Sequence, residues 1–471
     1  MSGNHLKYSF QQKFILFAAL FFVSVFYFIS SCYINTSNDG SHFALVSALV
    51  NNHSVVINDY IEYTGKVDYA VKDGVFYSDR LPGNAFLMIP FFAFGNLLDF
   101  THLSTVSSHA PIQEVTVILL PNLCGVLGVL FVFLICQHFS ASFKKSVIVS
   151  LLYGLCTLNL QESTHVFSHA PSMYLVLAAF YYLLKTPNIY DKRFLLFVLL
   201  LSYSLIVELQ NSLLFLPALI YILQTRKIDF KLKSENVKVI FFSCLIIFTT
   251  LGVLISYNYI AFGEIILKSN KFNPEFPEEK EFLTSLSGDF IDGIDRLFTN
   301  FKTPDLWFDL KSGVKNNIPG LFITSPILLI SLLGFIPFYK KFSKEAALFL
   351  LIVIINVLIA GFHKTVLVRH IFTITPFLTL PVLFAICYIQ SKKNKLLSAA
   401  FFFICLCLSC YSSFRVFYVT HTYWGRDLST IFPFMKELKI YLLYLIFISA
   451  IFFSAYCLKI FLNKIHLNKN L

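Results

Sequence analysis

Apolar runs alternate with polar breaks along the whole chain. The runs fall at 13–34, 112–138, 145–160, 171–184, 194–207, 211–224, 238–260, 318–339, 345–361, 371–390, 396–413 and 440–462. A helix that crosses a bilayer needs about 20 apolar residues, so the pattern predicts an all-α polytopic membrane protein of about 12 transmembrane helices. Between 194 and 224 the pattern is interrupted by Glu208-Leu209-Gln210-Asn211, which predicts two short helices meeting at the outer surface. A further apolar segment, 84–98, is short, follows Gly83 and contains Pro90 and Gly95. It predicts a helix lying along the outer interface and not a crossing. Phe43, Leu45, Val46, Leu49 and Val50 mark Ser41–Asn51 as a short amphipathic helix with Asp39 as its N-terminal cap.

Composition fits this picture. Of 471 residues, 57% are hydrophobic and 13% charged, against about 45–50% and about 25% in a soluble domain. The chain reads as one integral membrane domain, 1–471, with two large polar loops, 35–111 and 261–317. Gathered in one patch, a net charge of +11 would suit nucleic acid. Instead, Lys144-Lys145, Lys192-Arg193, Arg226-Lys227, Lys340-Lys341 and Lys392-Lys393 fall on alternate breaks, as short cytoplasmic loops require. The acids on that side are Asp191, Asp229, Glu235 and Glu345. Both large loops are then outside, the first carrying Asp39, Asp59, Glu62, Asp68, Asp73, Asp79 and Asp99, and both termini are cytoplasmic. The basic balance is a topology signal and an anchor to anionic inner-leaflet lipid; nucleic acid is not a partner. Lys7 and Lys13 precede a first run that is long for a signal-peptide core and lacks a small-residue cleavage site, so it reads as a retained span. The 10 Cys all fall inside predicted spans, so neither a disulfide framework nor a zinc site is expected. Cys405, Cys407 and Cys410 read as packing residues, because positions i and i+2 face different sides of a helix.

A few polar residues sit where a spanning chain has no use for them. Asp39 lies about one turn beyond the first run, where a carboxylate at the lipid–water boundary can cap a helix and also serve as general base on a hydroxyl. Arg80 lies between Asp79 and the turn Leu81-Pro82-Gly83; a cation held at headgroup depth suits a phosphate, and otherwise it is an interface anchor whose stem snorkels. Glu162, His165 and His169 follow the third run at helical spacing. That spacing could ligate a metal but matches no known zinc motif, so they read as the polar lining of a site, with a divalent ion as the secondary reading. Arg369, with His370, opens the run at 371–390 and is a second phosphate candidate. Glu208 either joins the site or marks the break between two short helices.

Four stretches, in this order, resemble the GT-C membrane glycosyltransferases, specifically bacterial relatives of the protein O-mannosyltransferases and of the lipid A aminoarabinose transferase. They are Asp39-Gly40-Ser41-His42-Phe43-Ala44-Leu45, Phe76-Tyr77-Ser78-Asp79-Arg80-Leu81-Pro82-Gly83, Tyr257-Asn258-Tyr259-Ile260-Ala261-Phe262-Gly263, and Arg369 through Pro376. The resemblance implies a polyprenyl-phosphate-linked sugar as donor, hexosyl or pentosyl transfer, and a glycan, lipid or protein acceptor on the outer face of the membrane. It implies Asp39 as catalytic base and Arg80 as a donor-phosphate contact, where relatives often carry Lys; the charge is kept but the fork geometry differs. Gly40 stands where a second acid is more usual, which leaves Glu162 as the second catalytic acid. Arg369 joins Arg80 at the phosphate, and His42, Asp79, His165, His169 and Glu208 are placed around the substrate. On this reading the lipid-linked sugar phosphate is a co-substrate and no cofactor or metal is required.

The alternative is a transporter or flippase of lipid-linked sugars. It would want ionisable residues near mid-membrane and internal repeats; the runs carry few such residues, and no repeat is evident. The topology has a direct test. A cysteine at Asn58 or Asn273 is expected to react with an impermeant thiol reagent added outside, and protection would overturn the assignment.

Overall fold

The computed structural model describes residues 8–32, 34, 36–100, 111–139, 141–226, 234–276, 286–299, 320–363, 368–392, 397–398 and 400–411. The predicted crossing at 440–462 lies outside them. The described residues form a helical bundle with one small two-stranded sheet.

Six of the described helices are long and apolar enough to cross a membrane: Phe10–Ser30, Pro82–Phe100, Ile112–His138, Val237–Phe262, Ser343–Gly361 and Val368–Ser391. The chain is an integral membrane protein. Its first helix, α1 (Phe10–Ser30), starts at Ser9, whose hydroxyl accepts from the Gln12 backbone while Gln12 returns the bond to Ser9; this reciprocal cap satisfies two donors that a helix start leaves open. One face of α1 buries Val23, Phe26 and Tyr27, whereas Phe14, Phe17 and Phe21 stay exposed, as suits a helix with lipid on one side. Burial orders the bundle. Over an apolar 18-residue stretch of each, Val368–Ser391 is 89% buried and Ile112–His138 67%, so these two form its centre, while Phe10–Ser30 at 28% and Val237–Phe262 at 22% are its rim.

The helices at the remaining predicted crossings are short, between 11 and 17 residues. We label the helices after α1 as α2 (Ser37–Asn51), α3 (Pro82–Phe100), α4 (Ile112–His138), α5 (Phe143–Cys156), α6 (His169–Lys185), α7 (Lys192–Val207), α8 (Phe215–Thr225), α9 (Ser234–Phe262), α10 (Phe290–Phe298), α11 (Ile330–Lys341), α12 (Ser343–Gly361), α13 (Thr375–Ser391) and α14 (Ala400–Tyr411). A helix of 16 residues such as α7 rises only about 24 Å, short of the roughly 30 Å of hydrocarbon. The predicted break after α7 is present: the helix ends at Glu208 and a 3-10 turn, Leu209–Leu214, leads into α8. Similar interruptions precede α6, at 163–168, and α13, where Val368–Ile374 is a 3-10 turn. The segment predicted to lie along the interface is the 19-residue helix α3, whose length and composition also admit a crossing.

The helix predicted at Ser41–Asn51 begins earlier and is not amphipathic. It runs from Ser37, its N-cap is Thr36, and every residue from Asp39 to Ala48 is buried. Polar loop segments pack over it on the side that the sequence pattern leaves to solvent. Gly40 is where the packing is closest: a Cβ there would overlap the carbonyl oxygen of Tyr63 in the 3-10 turn Asn58–Thr64. This is why no second acid can follow Asp39. Gly83, at the start of α3, likewise sits against the backbone of Ile206 and Val207 at the end of α7, which brings the Arg80 turn towards the Glu208 break. The Gly40→Ala variant is expected to lose about 1–3 kcal/mol through overpacking, read as a lower melting temperature in detergent. An unchanged melting temperature would mean that the Asn58–Thr64 turn moves aside freely.

Candidate active site

The first large polar loop owes its shape to a hairpin. Asp73 and Gly74 both have positive φ, 51° and 77°, the requirement of a type I′ turn, and β1 (Ala70–Lys72) pairs with β2 (Val75–Tyr77) from Ala70↔Tyr77 to Lys72↔Val75. The pairing sets Asp68, just before the hairpin, beside Asp79 and Arg80, just after it. Arg80 Nη2 lies 2.5 Å from Asp68 Oδ1 and Nε lies 3.3 Å from Asp79 Oδ1. Ser37 Oγ donates to Asp68 at 2.5 Å. Asp79 receives Ser41 Oγ at 3.1 Å and Asn273 Nδ2 at 3.0 Å, and its carbonyl accepts from Ser269 Oγ at 2.8 Å. Burial pushes the Asp79 carboxyl above its ordinary value; Arg80, Ser41 and Asn273 oppose that and Asp68 reinforces it. Asn273, a labelling position by sequence, is 1% exposed and belongs to this clamp, so labelling there reports on the clamp and not on sidedness. Asn58 is exposed and remains the informative position.

Asp39 was expected to cap α2 and does not. The Thr36 hydroxyl accepts from the Asp39 backbone at 3.2 Å, which places Asp39 in the first turn, where the helix dipole favours a carboxylate. One turn on, His42 is 1% exposed, and neither ring nitrogen has a hydrogen-bond partner among the described residues. Burial holds its imidazole well below the ordinary value, with Arg80 and His169 adding to the effect, so it is neutral.

Glu162, His165 and His169 do not share a helix face. Glu162 closes the single turn Asn159–Glu162, and α6 starts afresh at His169. Pro171 suits the first turn of a new helix. The chain between them is pinned by Asn122 Nδ2 on the Ser163 carbonyl at 2.6 Å and by the Cys32 backbone on Thr164 at 2.9 Å. Glu162 is 0% exposed with no hydrogen bond to either oxygen among the described residues. Burial raises its carboxyl above the ordinary value and Glu208 adds to this, while His169 and Arg369 oppose it. His165 turns towards the Gln161 carbonyl, 2.8 Å from Nδ1, and stacks on Phe167. Phe167 in turn carries the Arg369 guanidinium 5.1 Å above its ring.

Glu208 is both the break and a site residue. His169 Nδ1 lies 2.5 Å from Oε1, Ser168 Oγ donates to the same oxygen at 3.0 Å, and Ser172 Oγ and Gln210 Nε2 each donate to Oε2 at 3.0 Å. Burial works against its ionisation, but His169 and the two hydroxyls outweigh it and hold Glu208 below the ordinary 4.5.

These fragments converge. Arg369 interacts electrostatically with Glu162, Arg80, Asp68 and Asp39 together, Glu162 with His169, Arg369 and Glu208, and His42 with Arg80 and His169. A cavity of about 450 Å³ is lined mainly by apolar side chains that include Leu49, Val55, Phe86 and Ile260. Tyr257 lines this cavity and lies within electrostatic reach of Asp79. Sequence reasoning missed Asp68, Ser41, Ser269 and Asn273. The Asp73-Gly74 pair was a signal for Asp68, because a hairpin there must bring 68 to 80; nothing local in the sequence ties Asn273 to Asp79. Among the described residues no group of three or more His, Cys, Asp and Glu is placed to hold a metal.

No protein-family model matches the chain, and no curated protein is significantly similar to it. Solved structures do match. The apo oligosaccharyltransferase of Archaeoglobus fulgidus superposes with a TM-score of 0.52 at 11% identity, over 89% of this chain and 57% of that one. ArnT from Cupriavidus metallidurans, bound to undecaprenyl phosphate, gives 0.53 at 12%, over 97% and 76%. The Archaeoglobus enzyme in complex with Zn and sulfate gives 0.51 at 10%, over 88% and 53%. The chain thus spans somewhat over half the length of the oligosaccharyltransferase. The chain shares the fold of these solved structures.

The Glu208 arrangement predicts a pH dependence. Its folded value lies below the unfolded one, so ionised Glu208 contributes stability that is complete above the ordinary carboxylate range and is lost as pH falls through the lowered value. Glu208→Gln is expected to melt below wild type at pH 7, with the gap closing as acidification passes the lowered value. A gap of equal size at both pH values would show that charge on Glu208 is not what stabilises the break.

Proposed function

We propose that the chain is an inverting glycosyltransferase that moves a sugar from a polyprenyl-phosphate donor to an acceptor hydroxyl at the outer face of the membrane. The observation that carries this reading is the convergence of Asp39, Arg80, Glu162, His169, Glu208 and Arg369, from distant parts of the chain, into one buried electrostatic cluster on a GT-C fold. Two fixed guanidinium groups beside several carboxylates suit a reaction in which a phosphate leaves and a proton is taken up. The solved ArnT structure of this fold is bound to undecaprenyl phosphate, and the apolar cavity that Tyr257 lines has the character required by a polyprenyl chain. The Lys and Arg separation supports an outward-facing site and cytoplasmic termini.

The Asp39 carboxylate takes the proton of the acceptor hydroxyl as its oxygen attacks the anomeric carbon. The bond from that carbon to the phosphate oxygen breaks with inversion, and the electron pair leaves on the lipid phosphate. Arg369 and Arg80 neutralise the charge that develops there, so the leaving group needs no proton. Glu162, whose carboxyl burial raises above its ordinary value, is suited to hydrogen-bond a sugar hydroxyl, and neutral His42 can accept one. Asp79, whose oxygens are already engaged, positions Arg80 together with Asp68. His169, fixed by Glu208, forms the opposite wall, with His165 behind it as the support of Phe167. No step passes through a metal.

Asp39→Asn keeps the first-turn position and is expected to fold normally while transfer from a labelled polyprenyl-phosphate sugar is abolished. Arg80→Ala and Arg369→Ala should each weaken donor binding by about 10- to 150-fold, the equivalent of a charge-assisted contact of about 1.5–3 kcal/mol. Near wild-type turnover in Asp39→Asn, or an unchanged donor requirement in both arginine variants, would remove these residues from the mechanism.

A further inference from the structure

Three lysine-bearing helix ends, assigned by sequence to separate short cytoplasmic loops, come together in the fold. The first turn of α5 carries Lys144 and Lys145, α11 ends on Lys340 and Lys341, and α13 is followed by Lys392. They surround a cavity of about 230 Å³ between α11, α13 and the link into α5. Its wall is apolar, formed by Phe139, Pro337, Leu383 and Phe384, and it is firm, since Phe338 stacks behind Phe384 with ring centroids 4.4 Å apart. Its rim is cationic. Lys341 lines it directly, Lys145 Nζ lies 3.4 Å from the Sγ of the lining residue Cys387, and Lys392 Nζ sits 4.7 Å above the ring of the lining residue Tyr388. No carboxylate lines the cavity, and none of these three lysines forms an ion pair among the described residues. Lys341 and Lys392 are exposed.

An apolar recess rimmed by amines fits a molecule that is apolar at one end and anionic at the other. We propose that this cavity binds an anionic phospholipid of the cytoplasmic leaflet, with Lys145, Lys341 and Lys392 around the headgroup phosphate and the first acyl methylenes against Phe139, Leu383 and Phe384. Charge complementarity selects the occupant, because the inner leaflet supplies anionic headgroups at the depth where lysines cluster. The cavity is separate from the cluster around Asp39. The helix α13 begins one short turn after Arg369 and reaches the lysines at its far end, after 17 residues, or about 25 Å of rise. Lipid bound there would brace the ends of α11 and α13, the second of which lies at the centre of the bundle.

The test uses the full-length protein purified in detergent. Retained lipid is counted by native mass spectrometry, and melting is followed during addition of dioleoylphosphatidylglycerol, dioleoylphosphatidylcholine or inorganic phosphate. Wild type should retain one phosphatidylglycerol in preference to phosphatidylcholine and melt higher as it is added. The K341Q/K392Q variant, altered only at exposed side chains, should need about tenfold or more lipid for the same effect. The K192Q/K238Q variant, with exposed lysines elsewhere on the same side, should behave as wild type. Unchanged lipid binding in K341Q/K392Q overturns the proposal. An equal loss in K192Q/K238Q would replace it with diffuse surface attraction, and an equal response to inorganic phosphate would make this a site for free anions and not for lipid.

Discussion

A charge taken out of water must be met by an opposite charge or by several donors, and this structure is organised around doing so at one place. Arg80 and Arg369 are set among Asp39, Asp68, Asp79, Glu162 and Glu208. None of the carboxylates is exposed, and each is reached by a cation, by hydroxyls or by the start of a helix. Isolated, any of these groups would cost several kcal/mol to bury; gathered, they offset one another. The packing that gathers them is therefore not free to vary, and the close approaches at Gly40 and Gly83 follow from it.

The membrane imposes the second constraint. Non-helical backbone is tolerated at membrane depth only where protein buries it or where it lines a cavity. The three interruptions of the bundle, at 163–168, 208–214 and 368–374, bring His165, Glu208 and Arg369 into the cluster, with Glu162 and His169 on the flanks of the first. Each break is stabilised by the site and in turn presents it. The Ser168, Ser172 and Gln210 bonds to Glu208 show the arrangement in one residue: the carboxylate that ends α7 also fixes His169.

Asp79 links the two large polar loops. Its bonds to Asn273 and from Ser269 to its carbonyl join the first loop to the second across almost two hundred positions. Arg80 is held in register by this clamp and by Asp68, so in the proposed reaction its guanidinium is pre-set for the donor phosphate. Such pre-organisation is where electrostatic catalysis gains most, because no dipole has to turn during the reaction.

The sequence by itself determined the membrane class and the helical fold, because a run of apolar residues long enough for the hydrocarbon has few alternatives. It also determined the break at Glu208 and singled out Asp39, Arg80, Glu162, His169 and Arg369, because charges next to apolar runs are costly and so stand out. Only the tertiary structure decided that Thr36 and not Asp39 caps α2, that α2 is buried on every side, that Glu162 and His169 lie on different helical segments, and that Asp68 and Asn273 complete the clamp. Local periodicity reports which side chains avoid water, but it cannot report which distant backbone covers a helix. That was settled by contacts such as the Tyr63 carbonyl against Gly40.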